Sequence, residues 1–205
     1  RFFQYLDKFY VEMHSIAKLE DQGFKIFKEV VFAQIMSSVT EAVVETVRVA
    51  REGGEVEETQ ILKDTVRIYL KLSQDKLASD GSVPRLELDK QLIEETRRFY
   101  QQRSLQIIDN YVLIDYLKDA QKCYGNERHR VAMIFNWDVD QQILKTFRAE
   151  MLIKPQSVLL SKPEGFKEFV NTRNMDSLRL MYSLYKEEPD HLKPICDLYR
   201  GFVKE

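Results

Sequence analysis

The chain has 205 residues, 44% hydrophobic and 31% charged, enough to bury one sizeable core or two loosely separated packing units. Its 31 Lys and Arg against 33 Asp and Glu leave a formal net charge of −2, which gives no electrostatic reason to expect a nucleic-acid partner. Only 7 Gly and 5 Pro occur, too few for a β-rich chain of tight turns, and no uncharged apolar run approaches the roughly 18 residues of a membrane span.

The chain opens on Arg1 with no signal-peptide pattern, and Phe2 to Val11 already reads as helix, which is the reading of a trimmed fragment. Phe24, Phe27, Val31 and Ile35 step by three and four, and Val39, Val43, Val47 and Ala50 continue the stripe. The pattern predicts one very long helix or two collinear ones, with Ser37-Ser38 as the candidate break. Gly53-Gly54 supplies the stop, because glycine enters the left-handed region without steric penalty. Ile61, Thr65, Ile68 and Leu72 mark the next helix, and Ser73 to Pro84, with Asp80-Gly81-Ser82 inside it, reads as the clearest loop.

A helix of roughly two dozen residues resumes near Arg85 with Leu88, Leu92 and Phe99 on its buried side. Asp109-Asn110 interrupts it and is expected to cap a helix through Leu113, Tyr116, Ala120, Tyr124, Val131 and Phe135. Beyond Trp137-Asp138 the helices shorten. Their stripes are Ile143, Phe147 and Met151; then Phe166, Phe169 and Val170; then Leu178, Met181, Tyr182 and Tyr185. The last is Leu192, Ile195, Tyr199 and Phe202, entered through Pro189. About nine helices result, with no strand-like alternation and no short repeat. The expected class is all-α, an elongated array of long helices that bury their faces against one another.

Chemistry is sparse. Cys123 and Cys196 have no CxxC partner and continue apolar stripes, so they read as buried thiols of a reduced intracellular protein. His14, His129 and His191 lack zinc spacing. Glu188 with His191 forms a single Glu-x-x-His pair, whereas a di-iron bundle needs a second copy and two further glutamates. Glu57-Glu58 and Glu94-Glu95 are adjacent and face apart on a helix, and no P-loop, dinucleotide or nucleophile-elbow motif occurs. The reading is of a non-enzyme with no cofactor and no metal.

Several segments resemble, in order, the N-terminal region of cullins. Tyr5-Leu6-Asp7-Lys8-Phe9-Tyr10-Val11 is similar to the end of the fifth helix of the first cullin repeat. Gly23-Phe24 with Phe27-Lys28 and Val31 resembles the opening of the second repeat, and Arg51 to Val56 resembles a Gly-containing corner within it. Glu95-Thr96 with Phe99-Tyr100, Asp115-Tyr116-Leu117, and Glu127 with Arg130-Val131 resemble later parts of that repeat. Leu178, Met181-Tyr182 and Leu184 resemble an early motif of the third, although Ser177 stands where the family carries Asp. The resemblance implies residues 1–12 as the end of the first repeat, 13–137 as the second, and 138–205 as the beginning of the third.

A cullin stalk spaces an adaptor, which carries the substrate receptor, from a RING protein held by a C-terminal domain missing from this sequence. The implied role is a non-catalytic scaffold of a ubiquitin ligase in the cytoplasm, the nucleus or both. The adaptor would be of the Skp-like, BTB or damaged-DNA-binding-protein class, with no membrane partner. Tyr5 is the one position with an implied adaptor contact; packing within the first repeat is the equally weighted alternative. An unrelated helical scaffold of a tethering or trafficking complex is the competing function, and an unrecognised all-α enzyme the third. Glu127 and Arg130 lie three apart on one helix, where an ion pair contributes about 0.2–0.5 kcal/mol.

Overall fold

The computed structural model describes residues 11–14, 16, 18–54, 59–73, 84–135, 139–162 and 165–204, and every regular element among them is helical. After a single helical turn at Val11–His14, α1 runs Leu19–Arg51, α2 Thr59–Ser73, α3 Pro84–Ile108 and α4 Leu113–Ile134. Shorter helices follow. α5 is Val139–Arg148, extended by a π-helical turn at Ala149–Ile153; α6 is Gln156–Ser161 and α7 Phe166–Asn171. α8 is Met175–Tyr185 and α9 Pro189–Lys204. The chain packs as two compact units, Arg1–Gln91 and Leu92–Glu205, divided within α3.

In the first unit α1 does not break at Ser37-Ser38; its irregularity is a π-helical stretch at Phe27–Phe32. A π turn holds one residue more than an α turn, and one residue is about 100° of helix rotation. The apolar stripe therefore steps five residues, from Phe27 to Phe32, whose ring centroids lie 6.3 Å apart. It continues through buried Thr40, Val43 and Val47, while Val31 and Ile35 turn outward, 44% and 43% exposed. In α2 the buried face lies one position from the expected one at Ile61, Thr65 and Ile68, and coincides with it at Leu72. Leu62, Val66, Tyr69 and Leu72 are buried, whereas Ile61 and Ile68 are exposed. Tyr69 decides this register: its ring meets Phe32 edge-on at 5.0 Å and its hydroxyl lies 2.7 Å from that of Thr40.

By length and composition α1 is long and apolar enough to cross a membrane, which corrects the exclusion drawn from uncharged runs alone. The stretch Val30 to Val47 contains Glu41 and Glu45 and sends Phe32, Thr40, Val43 and Val47 into the unit's interior. The stop at its end is as expected. Gly53 takes φ +88° and the Gly54 N–H donates to the Val49 carbonyl at 3.0 Å, a Schellman closure.

Of the expected loop from Ser73 to Pro84, residues 74–83 lie outside the described residues, as does Trp137-Asp138, while Ser73 ends α2 and Pro84 opens α3. On either side of that loop, the Arg85 N–H donates to Ser73 Oγ at 3.1 Å, and Pro84 occupies the first turn of α3, where its missing N–H goes unneeded. Asn110 donates through Nδ2 to the Gln106 carbonyl at 2.9 Å. It thus ends α3 and does not cap α4, whose N-cap position is Val112 with no side-chain cap.

The core of the second unit joins Tyr100, Leu113, Tyr116, Phe147, Phe166 and Met181, with Phe169 and Tyr185 also buried. The expected stripes of α4, α5 and α7 are the buried ones. Tyr182 and Tyr199 are corrections, 57% and 49% exposed, and Cys196 is an exposed thiol, not a buried one. The expected repeat boundary at 137/138 falls inside this unit. In a helical solenoid one repeat's core continues into the next, so a packing unit is a different division from a sequence repeat.

Candidate functional site

Tyr5, the position with an implied adaptor contact, lies outside the described residues. Within them, buried polar groups are where a functional site would be sought. In the first unit the Tyr69 and Thr40 hydroxyls both reach the Met36 carbonyl, at 3.2 and 2.8 Å. Burial raises the Tyr69 pKa, partly offset by its bond with Thr40.

In the second unit Glu127 is 1% exposed. It accepts from the Tyr100 hydroxyl at 2.7 Å and from Arg130, whose side chain is 13% exposed. The expected Glu127–Arg130 pair is therefore present but buried, in a different energetic class from a surface helix pair. Two further tyrosines serve the π turn. Tyr116 donates to the Met151 carbonyl at 2.8 Å and lies 2.8 Å from the Ser104 hydroxyl; Tyr185 donates to the Leu152 carbonyl at 3.0 Å. The residue four beyond Met151 is Pro155, which has no N–H to offer that carbonyl. Burial pushes the Tyr116 phenol up to about 12 and raises that of Tyr185 as well.

Arg103 donates twice to Asp119, at 3.0 and 2.6 Å, and Cys123 lies beside them with its sulfur 3.7 Å from Asp119. The bond to Asp119 raises the Arg103 pKa, and burial pushes the Cys123 thiol up to about 11. A thiol held protonated is a poor nucleophile. These hydroxyls and carboxylates are engaged in holding helices together, which is a structural use. Among the described residues no three His, Cys, Asp or Glu side chains group as metal ligands. Glu188 lies near Arg148, and the backbone carbonyl of His191 accepts from Gln156 at 2.6 Å.

Two hollows open between α4 and α8. One, of about 600 Å³, is lined by Ile114, Lys118, Asn174 and Leu180 among others. The other, of about 190 Å³, gathers Tyr124, Arg128, Arg148 and Lys186. Sequence reading missed this second group, because its members come from three helices and share no motif.

A family model described as the cullin alpha solenoid domain matches residues 1–205. The chain is 24% identical to putative cullin-like protein 1 of Arabidopsis thaliana, over 99% of this chain and 28% of that protein. It is 26% identical to cullin-1 of Oryza sativa subsp. japonica, over 99% of this chain and 27% of that one. To cullin-3 of Dictyostelium discoideum it is 22% identical, over 98% of this chain and 26% of that one. The chain thus spans under a third of the length of these relatives.

Proposed function

The chain belongs to the cullin family of scaffold proteins, and on that premise we propose that it is a non-catalytic stalk segment of a cullin–RING ubiquitin ligase. Residues 1–12, 13–137 and 138–205 are read as the end of one cullin repeat, a complete second and the start of a third. The segment spaces an adaptor-borne substrate from the RING-bound conjugating enzyme, and it acts in the cytoplasm, the nucleus or both. The adaptor class stays as broad as the resemblance leaves it.

The observation that carries this reading is the match of the cullin solenoid family over the whole chain. The packing agrees with it. A spacer must resist bending, and buried Tyr69, Tyr116 and Tyr185 each tie their helix to a main-chain carbonyl elsewhere in their own unit. A hydrogen bond between two buried groups fixes both position and orientation.

A spacer acts by effective concentration, which a flexible insertion lowers without touching any contact surface. In the full-length protein, a Gly-Ser insertion between Gln91 and Leu92, where the two packing units divide, is expected to lower substrate ubiquitination about tenfold. Substrate-independent ubiquitin discharge, assayed in the same reconstituted ligase, is expected to remain. Unchanged substrate ubiquitination would remove the spacer role.

A further inference from the structure

We propose that the smaller hollow beside Arg148 is an anion-recognition site that takes carboxylate side chains from an acidic peptide segment of a protein partner. Its volume is about 190 Å³. Its walls come from α4 through Tyr124 and Arg128, from α5 through Arg148, and from the end of α8 through Ser183, Lys186 and Glu187.

Three cations line this hollow against one lining carboxylate, Glu187, with Glu188 pairing Arg148 from outside the lining. Arg148 is the fixed element, its side chain only 13% exposed. Through Nη1 it donates to the Tyr124 hydroxyl at 3.3 Å and to Glu187. Its buried Nε has no hydrogen-bond acceptor; the Glu188 carboxylate lies 3.4 Å away, outside bonding geometry. The chain's own acids thus pair the guanidinium while leaving its Nε without a hydrogen bond. Arg128 and Lys186 are exposed, and no hydrogen bond or ion pair engages their charged ends among the described residues.

A purely internal clamp between α5 and the end of α8 needs only Arg148 and Glu187. It leaves Arg128 and Lys186 converging on the same hollow with no function. A carboxylate from a partner explains them. It replaces the half-exposed Glu187 at Arg148 with the same chemistry, and its neighbours along the peptide meet Arg128 and Lys186. The formal net charge of −2 for the whole chain makes this hollow a local exception and disfavours a nucleic acid as occupant.

The 205-residue chain, titrated with an acetylated hexaglutamate peptide, is expected to show saturable amide shifts at residues 121–128 and 183–187. Combining Arg128→Ala with Lys186→Ala, both on exposed side chains, is expected to weaken binding about tenfold. Glu187→Gln removes the internal competitor and is expected to tighten binding about threefold, a gain that a structural clamp would not give. Hexaglutamine and inorganic phosphate at the same concentration are expected to give no saturable shift. Absence of saturable binding by hexaglutamate overturns the proposal, as does equal affinity of the double variant. So does a Glu187→Gln variant that gains nothing, or phosphate bound in preference to the peptide.

Discussion

A carboxylate that is 1% exposed persists as an anion only where its charge is met, and Glu127 is met by the Tyr100 hydroxyl and the Arg130 guanidinium. Removing the hydroxyl in Tyr100→Phe takes a hydrogen bond from a buried charged acceptor and is expected to destabilise the fold by about 2 kcal/mol. Glu127→Ala takes the carboxylate away from the mostly buried Arg130 and is expected to be the more severe, by about 3–5 kcal/mol. Urea denaturation of the two variants checks both values and their order. The buried phenols make a pH prediction. Tyr116 has its pKa raised by burial to about 12 from the ordinary 10.0, and Tyr185 is raised for the same reason. Below pH 10 the group is neutral in both states and its contribution is fully present. Above that the unfolded chain gives up the proton while the folded one retains it, so stability is lost as pH rises from 10 through about 12. Cys123, raised from 9.0 to about 11, adds a loss of the same sign over a lower interval. Urea midpoints across the alkaline range are expected to fall, and to fall less steeply for Tyr116→Phe, which has no proton to lose.

At the scale of the element, two helix ends use the same closure with different residues. α1 ends with Gly53 at φ +88°, and α7 ends with Arg173 at φ 52°. At Arg173 the closure is complete: the Asn174 N–H donates to the Phe169 carbonyl at 2.9 Å and the Arg173 N–H to Val170 at 3.1 Å. A side chain in the left-handed region is strained by about 1 kcal/mol, and glycine is not. Arg173→Gly is therefore expected to raise stability by up to about 1 kcal/mol, and Gly53→Ala to lower it by about as much, in thermal melts of the paired variants. The π turn in α1 acts on a longer stretch. It leaves the helix unbroken and hands the buried face from Phe27 to Phe32, so a strict α period run on from Phe27 misplaces Val31 and Ile35 and rejoins the buried face at Val43 and Val47.

At the scale of the whole molecule, each unit has its own core, and the cullin solenoid family covers both. The partner-specific expectation concerns Tyr5. In a full-length protein, Tyr5→Ala is expected to reduce adaptor capture in a pull-down while leaving the melting temperature of the stalk unchanged, since tyrosines at interface centres contribute disproportionately to affinity. Full adaptor capture by that variant would assign Tyr5 to packing within the first repeat. The acidic-peptide hollow beside Arg148 is assembled from three helices of the second unit, so it exists only once that unit has packed.

What the amino-acid sequence determined by itself is whatever depends on local period and local backbone freedom. The all-α class, the stop at Gly53 and the buried stripes of α4, α5 and α7 read directly from spacing and residue type. What only the tertiary structure decided is the choice between alternatives that local pattern leaves equal. α2 carries two adjacent apolar stripes, and Tyr69, by meeting Phe32 and Thr40 of α1, decides which one is buried. Glu127 reads as one half of a surface pair until Tyr100, 27 positions away, closes over it. Cys196 continues a stripe yet stays exposed, and Arg148 lacks any motif yet gathers Tyr124 and Glu187 around it. The physical reason is common to all of these: burial is a property of two surfaces, and a helical period describes only one.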